Sequence, residues 1–204
     1  MASVSAQAIL MAGPSGAGKT RLATRLGLPV LQLDDFYKDG DDPSLPRLPT
    51  GEVDWDHPDS WSADDAAAAL HELCATGSTD APTYDIGKNA RVGHRVLRLD
   101  GFAYFVAEGI FAAELAPGCL SDESAALAVC VRRSRWLTFE LRLVRDLREH
   151  RKPPLFLVRR GLLLARREPS IVAGLVAKGC IPMTPREAEA RIRQLVGSAA
   201  SEGS

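Results

Sequence analysis

One segment near the start of the chain has the residue types and spacing of a phosphate-binding loop. Residues 13–20 read GPSGAGKT and match the pattern G-x-x-x-x-G-K-[ST] in full. Glycines let backbone N–H groups converge on phosphate oxygens, and the start of a helix adds partial positive charge. The lysine of this pattern reaches the β- and γ-phosphates, and the hydroxyl residue binds magnesium. The residues predicted to contact nucleotide are Gly13, Ser15, Gly16, Ala17, Gly18, Lys19 and Thr20.

Acidic residues follow two of the predicted strands. Asp34 and Asp35 come directly after the short apolar run 30–33, and Glu108 ends the apolar run 102–107. Open α/β sheets bind ligands at the carboxyl ends of their strands. A carboxylate at Asp34 could therefore take a proton from an alcohol that attacks phosphorus, and Glu108 could hold magnesium directly or through water. Solvated surface carboxylates are the alternative explanation for both positions.

The predicted elements alternate between strands and helices. Strands are expected at 8–12, 30–33 and 127–131, and a hairpin at 96–99 and 102–107, joined through Asp100 and Gly101. Helices are expected at 19–26, from Ser62 to about residue 75, at 137–150, at 155–167 and from Thr184 onward. This order indicates an α/β domain with a mostly parallel sheet.

Composition excludes several classes of protein. The chain has 204 residues, 46% of them apolar, with 25 basic and 26 acidic side chains. Its four cysteines form no C-x-x-C pair, and no apolar run approaches the ~20 residues of a membrane span. We expect one soluble cytoplasmic domain over residues 1–197 and a flexible tail at 198–204.

Charge is distributed unevenly along the chain. Between residues 34 and 65 there are eleven acidic residues, and between 132 and 167 there are twelve basic ones. The basic stretch could grip phosphate, attract nucleic acid or form a solvated face. Few aromatic residues interleave with these arginines, so a single-strand nucleic-acid platform is not indicated. The absence of an N-K-x-D motif also argues against a switch GTPase.

Several short motifs, taken in order, resemble those of the uridine kinase family of P-loop kinases. They are DDFYK at 34–38, WDHPD at 55–59, PTYD at 82–85 with Arg91, EGI at 108–110, and the segment 142–146. With the phosphate loop they extend from residue 13 to about residue 152. The resemblance implies a three-layer α/β/α fold of the P-loop NTPase type. It also implies an acceptor-site insertion at about 36–100 and a helical, arginine-rich lid at about 142–167.

The resemblance also implies roles for individual residues. Asp34 would activate the acceptor hydroxyl, and Thr20, Asp34 and Glu108 would form the magnesium environment. The residues implied for the nucleoside site are Tyr37, Trp55, Asp56, Tyr84 and Arg142, and those implied for the lid over ATP are Arg145 and Arg151. Together these roles predict an ATP- and Mg²⁺-dependent kinase of a small molecule, with uridine or cytidine as the expected acceptor.

The sequence departs from the family pattern at two places. Asn89 stands where the family has a histidine that reads the base, and the lid segment has His150-Arg151-Lys152 in place of Arg-Gly-Arg spacing. A kinase of the same architecture for a sugar phosphate, pantothenate or another alcohol therefore stays open. So does a nucleotide-binding regulator without turnover, although such a protein would not need Asp34.

Overall fold

The computed structural model describes residues 6–14, 16–132 and 170–202. The strands are β1 (Gln7–Ala12), β2 (Val30–Gln32), β3 (Ser78–Asp85), β4 (Ala90–Arg98), β5 (Tyr104–Glu108), β6 (Ala125–Val131) and β7 (Ile181–Met183). The helices are α1 (Lys19–Leu26), α2 (Ala63–Thr76), α3 (Ala112–Ser121) and α4 (Pro185–Glu202), and residues 170–177 are also helical. Short 3₁₀ turns span Leu33–Phe36 and Pro58–Ser60.

Five strands form a parallel sheet in the order β2-β5-β1-β6-β7. In this sheet Glu108 at the end of β5 is in register with Met11 of β1 and with Gln32 of β2. The segments that follow β1, β2 and β5 therefore leave the sheet at one edge. That edge gathers the phosphate loop, Asp34 and Glu108 into one region.

Helices pack on both faces of this sheet, and its central strand β1 is apolar and fully buried from residue 8 to residue 12. Ile9 and Met11 of β1 face a core that includes residues of α1 and α4. Their neighbours Leu10 and Ala12 face the opposite core, to which α2 and α3 contribute. Strands buried on both faces are typical of parallel sheets. The expected three-layer α/β/α fold is confirmed.

Most predicted boundaries agree with the structure to within a few residues. Helix α1 coincides with the prediction, and α2 ends at Gly77, which has φ 75°. Helix α4 begins with the predicted capping box, because the Glu187 carboxylate accepts the Thr184 N–H at 2.7 Å and the Thr184 hydroxyl accepts the Glu187 N–H. The same helix extends past Gly197 to Glu202.

The predicted hairpin at 96–107 is wrong. Residues 90–98 pair antiparallel with β3 in a separate two-stranded sheet, whereas β5 pairs in parallel with β1 and β2. Asp100 and Gly101 have positive φ values of 48° and 89°, as their turn chemistry suggests, but their turn connects two different sheets. The hairpin is formed by β3 and β4 instead. We call this pair of strands the β3–β4 hairpin.

Two predicted helices, 137–150 and 155–167, lie outside the described residues, as does the predicted lid. Among the helices that the structure does describe, none combines the length and the apolar content needed to cross a membrane.

Candidate functional site

The loop between β1 and α1 has the backbone conformation that a phosphate cradle needs. Gly13, Gly16 and Gly18 have φ values of 140°, 82° and 94°, in a region that residues other than glycine rarely adopt. A Cβ atom at Gly13 would lie 2.3 Å from the Val131 carbonyl oxygen, so this position also requires the absence of a side chain. Gly18 is the N-cap of α1, and the helix N-terminus therefore opens onto the loop.

The Lys19 side chain extends back across the phosphate loop to its first residue. Its ammonium group donates to the Gly13 carbonyl oxygen at 2.9 Å, and the residue is only 7% exposed. This contact holds the cation inside the curve of the loop. Phosphate oxygens that enter the loop would therefore meet a charge that is already in position.

The first turn of α1 also contacts the end of β5. The Thr20 hydroxyl donates to a Glu108 carboxylate oxygen at 2.7 Å. Glu108 is 6% exposed, and its pKa is raised because burial disfavours the charged carboxylate, against the opposing effects of the Thr20 hydrogen bond and the Lys19 charge. A hydroxyl and a carboxylate thus stand side by side next to the phosphate loop.

The hydroxyl and the carboxylate fit a magnesium ion. Mg²⁺ prefers oxygen ligands and is often held by one or two protein groups together with phosphates and water. Within the described residues, no group of three or more His, Cys, Asp or Glu side chains forms a site that could hold a metal without such help. Thr20 and Glu108 could therefore contribute ligands to a magnesium ion that a nucleotide also binds.

Asp34 lies at the same edge of the sheet as Lys19 and Glu108. One carboxylate oxygen accepts the Ile110 backbone N–H at 2.9 Å. Gly109 permits this approach, because a Cβ there would lie 2.7 Å from that oxygen and 2.9 Å from the Leu33 Cβ. Part of the Asp34 surface is open to solvent, yet surrounding protein desolvates its carboxyl and raises its pKa, while the Ile110 hydrogen bond and Lys19 act in the opposite direction.

Substitution Glu108→Gln is expected to stabilise the ligand-free protein at neutral pH. The raised pKa of Glu108 means that its contribution to the free energy of unfolding is fully present below its ordinary pKa of 4.5 and is lost as pH rises through the folded-state value. Glutamine keeps an acceptor for Thr20 but carries no charge. In thermal melts without nucleotide or metal, the midpoint difference from wild type should be larger at pH 7.5 than at pH 4.

The control for this variant is Glu52→Gln, which changes an exposed loop residue. If Glu108→Gln shifted the melting midpoint by the same amount at both pH values, the raised pKa of Glu108 would be contradicted.

An aromatic cluster surrounds Tyr37, which directly follows the 3₁₀ turn that carries Asp34. The Tyr37 ring contacts those of Trp55, Tyr84 and Phe111, with centroid separations of 5.8, 5.6 and 5.9 Å. The Tyr37 hydroxyl donates to the Trp55 carbonyl oxygen at 3.3 Å. We call these residues the aromatic cluster. Its predicted members Tyr37, Trp55 and Tyr84 are brought together although they are far apart in the sequence.

Asp34 and Asp56 both act electrostatically on Tyr37. Burial raises the pKa of the Tyr37 hydroxyl, and the charges of these two carboxylates raise it further. Asp56 itself is exposed at the border of the aromatic cluster. Asp34 is thus tied to the end of β5 through the Ile110 N–H, and its 3₁₀ turn leads directly into Tyr37 of the aromatic cluster.

Two further aromatic residues, which the sequence did not indicate, support the cluster. Phe111 is buried against Tyr37 and also contacts Trp61, at a centroid separation of 5.7 Å. The Trp61 indole N–H donates to the Leu33 carbonyl oxygen at 2.6 Å. The position of Phe111 directly after the EGI motif is the only signal in the sequence that could have indicated it.

Asn89 lies in the turn of the β3–β4 hairpin. Its side chain is exposed, its φ is 50°, and its carbonyl oxygen accepts the Gly40 N–H at 2.7 Å. Asparagine adopts this left-handed conformation more readily than most residues, so the turn explains its presence. The remaining predicted site residues, Ser15, Arg142, Arg145 and Arg151, lie outside the described residues.

The sheet, its strand order and the loop between β1 and α1 define this protein as an α/β protein of the P-loop type. Among solved structures, the fold of this chain is similar to that of a protein from Silicibacter sp. TM1040 that is described as a candidate fructose transport system kinase. The match has a TM-score of 0.62 and 19% identity and covers 83% of this chain and 85% of that one. At that identity the similarity establishes the fold.

Sequence comparison gives a more particular result. Two curated uridine kinases, from two strains of Chloroflexus aurantiacus, are each 34% identical to this chain over 110 residues. The matches cover 49% of this chain, which spans only half of the length of these relatives. No protein-family model matches the chain. The resemblance to uridine kinase-like P-loop kinases, indicated by the motifs, is confirmed.

Proposed function

We propose that this protein is an ATP- and Mg²⁺-dependent kinase that transfers a phosphoryl group to a hydroxyl of a nucleoside, with the 5′-hydroxyl of uridine or cytidine as the best acceptor. One observation carries the proposal. Asp34 accepts the N–H of Ile110, two residues after the Glu108 that contacts Thr20 of the phosphate-loop region, and the 3₁₀ turn that carries Asp34 leads directly into Tyr37 of the aromatic cluster. A proton acceptor placed between a phosphate site and a surface for a flat ring suits phosphoryl transfer to a hydroxyl of a molecule that also carries a nucleobase.

The residues of the site have separate parts in this reaction. The phosphate loop binds the triphosphate, and Lys19 neutralises charge on the transferred group. Asp34 accepts the proton of the attacking hydroxyl, for which a carboxylate with a raised pKa is a better base than an ordinary aspartate. Thr20 and Glu108, with Asp34 nearby, would hold magnesium, which would supply further charge neutralisation when bound. Arg142 contacts the acceptor and the transferred phosphate in this reaction, and Arg145 and Arg151 belong to the lid that closes over ATP.

The aromatic cluster supports a nucleoside in preference to a simple sugar. Tyr37, Trp55 and Tyr84 are only partly buried and so retain ring surface for a base to contact. Asp56, at the border of this cluster, has a carboxylate that can accept hydrogen bonds from ribose hydroxyls. A sugar acceptor has no flat ring to use this surface, and it is the alternative that the experiment must distinguish.

The acceptor is tested by ADP release from Mg·ATP with uridine, cytidine, fructose, a sugar phosphate and pantothenate, each with wild type and with Asp34→Asn. Stimulation by uridine or cytidine that disappears in the variant supports the proposal. Stimulation only by another alcohol would retain the reaction and replace the acceptor. No stimulation by any acceptor, with ATP still bound, would contradict the proposed function and favour a regulator.

Substitution Tyr84→Ala is expected to raise the KM for the nucleoside roughly tenfold, because stacking of a base on an aromatic ring contributes roughly 1–3 kcal/mol. The KM for ATP should change little. Tyr84→Phe is the matched control, since it keeps the ring and removes only the hydroxyl that donates to the Lys38 carbonyl at 3.4 Å. Equal effects of the alanine variant on both KM values would contradict the assignment of Tyr84 to the acceptor side.

A further inference from the structure

Two adjacent aspartates in the 3₁₀ turn Leu33–Phe36 bind different parts of the protein. Asp34 accepts the Ile110 N–H that follows β5, whereas Asp35 accepts the Tyr84 N–H of β3 at 3.2 Å. A 3₁₀ turn rotates by about 120° per residue, so consecutive side chains leave it in different directions. Asp34 therefore faces the phosphate-loop region, and Asp35 faces the β3–β4 hairpin.

The Asp35 hydrogen bond falls at an irregular point of that hairpin. The pairing between β3 and β4 shifts register between Thr83 and Tyr84, and Tyr84 then pairs with Arg91. A bulge leaves backbone groups without their regular ladder partners. The Asp35 carboxylate supplies an acceptor to the backbone N–H of the residue whose ring belongs to the aromatic cluster.

Arg91 ties the hairpin to the acceptor loop a second time, directly opposite Tyr84. Its backbone N–H donates to the Asp39 carboxylate at 2.7 Å, and its Nε donates to the Tyr37 carbonyl oxygen at 3.2 Å. The same guanidinium donates to the Asp65 carboxylate at the start of α2, at 2.8 Å, and this contact lowers the pKa of Asp65. One side chain thus connects β4, the loop after the 3₁₀ turn and α2.

We propose that Asp35 and Arg91 are positioning residues for acceptor binding, which hold Tyr84 and Tyr37 in the arrangement that receives the acceptor. This inference rests on the proposed function for its kinetic consequences. Asp35 acts through the backbone of Tyr84, and Arg91 acts through the backbone of Tyr37. Both serve the acceptor side and leave the phosphate loop unchanged.

The kinetic test compares Asp35→Ala with Asp35→Asn. Alanine removes the acceptor for the Tyr84 N–H, and we expect the KM for the nucleoside to rise about tenfold. The kcat and the KM for ATP should change by less than about twofold. Asparagine retains an oxygen that can accept the same hydrogen bond, so it should restore most of the loss. This comparison separates the hydrogen bond from the negative charge of Asp35.

A second measurement is independent of catalysis. Amide hydrogen exchange at Tyr84 should be faster in Asp35→Ala than in wild type, by about tenfold, and close to wild type in Asp35→Asn. In Arg91→Ala, faster exchange is expected at Arg91 itself and at Gly40, whose N–H donates to the turn of the same hairpin. The Ile9 amide in the central strand serves as the internal control, because a global loss of stability would also accelerate its exchange.

The two measurements separate failure of this inference from failure of the proposed function. Unchanged exchange at Tyr84 in Asp35→Ala, or a nucleoside KM equal to that of wild type, would overturn the positioning role. An equal fall of activity in the alanine and asparagine variants would overturn it as well, because the negative charge would then be the essential feature. If wild type phosphorylates no acceptor while Tyr84 exchange responds as described, the proposed function fails and the structural tie is retained.

Discussion

Asp34→Asn is expected to lower kcat for phosphoryl transfer by about 10²–10⁴-fold while nucleotide binding stays near that of wild type. Asparagine has almost the same shape and can still accept the Ile110 N–H through its side-chain oxygen. It cannot take a proton from the acceptor hydroxyl. The change therefore removes the proposed base and should leave the fold and the phosphate loop in place.

The pH dependence of the wild-type reaction tests the proposed role of Asp34 in a second way. The proposed base must be deprotonated to act, so kcat/KM should fall as pH drops through the Asp34 pKa. Because desolvation raises that pKa above the ordinary value of 3.8, the fall should begin at a higher pH than for an exposed aspartate. Steady-state rates from pH 4.5 to 8 would measure this limb. Wild-type turnover in Asp34→Asn would contradict the assignment of the base.

Lys19→Met is expected to lower both nucleotide affinity and turnover, with kcat reduced by about 10²–10³-fold. Methionine has a similar length and fills the same volume, but it carries no charge for the phosphates. The Lys19 ammonium lies inside the loop on the Gly13 carbonyl, so its loss removes that positive charge from the cradle. Titration of Mg·ATP by calorimetry and steady-state kinetics would measure the two effects separately.

Lys178→Met is the matched control, because Lys178 forms an ion pair with Glu114 of α3 instead of contacting the phosphate loop. Its ATP affinity should equal that of wild type. Retention of wild-type affinity in Lys19→Met would contradict the assignment of residues 13–20 as the nucleotide site.

The phosphate-loop region could be predicted because local signals determine it. Glycine spacing, an apolar strand before it and a helix after it are all properties of neighbouring residues, and the observed φ values of Gly13, Gly16 and Gly18 agree with them. The positions of Asp34 and Glu108 followed from the rule that ligands gather at the carboxyl ends of parallel strands. The parallel register of β1, β2 and β5 brings these positions together.

The β3–β4 hairpin could not be predicted in the same way. Strand β3 contains Pro82, and proline argues against a strand because it cannot donate to the ladder. Strand β4 has several exposed positions, so the alternation of apolar and polar residues is weak. The turn signal at Asp100-Gly101 then suggested the wrong partner for residues 96–99. Tertiary packing determines which sheet a strand joins, and local turn chemistry does not.

The contacts that support the acceptor side also could not be predicted from local sequence patterns. Phe111 meets Tyr37 across more than seventy positions of sequence, and the Asp35 contact with Tyr84 spans 49. Helix α3 was not predicted either, since Pro117 and Gly118 inside it are poor helix formers. Burial of Ala112, Ala113 and Ala116 against the sheet outweighs this weak propensity.

The most direct test of the central claim is to follow the γ-phosphate of ATP in a single turnover. Purified protein would be mixed with Mg²⁺, ATP labelled at the γ-phosphate and uridine, and the labelled products would be separated. We predict that the label appears in a nucleoside monophosphate in equal amount to the ADP formed, and that Asp34→Asn leaves it in ATP. Label that appears only as inorganic phosphate, or stays in ATP with wild type and every acceptor, would contradict the assignment of this protein as a kinase of small alcohols.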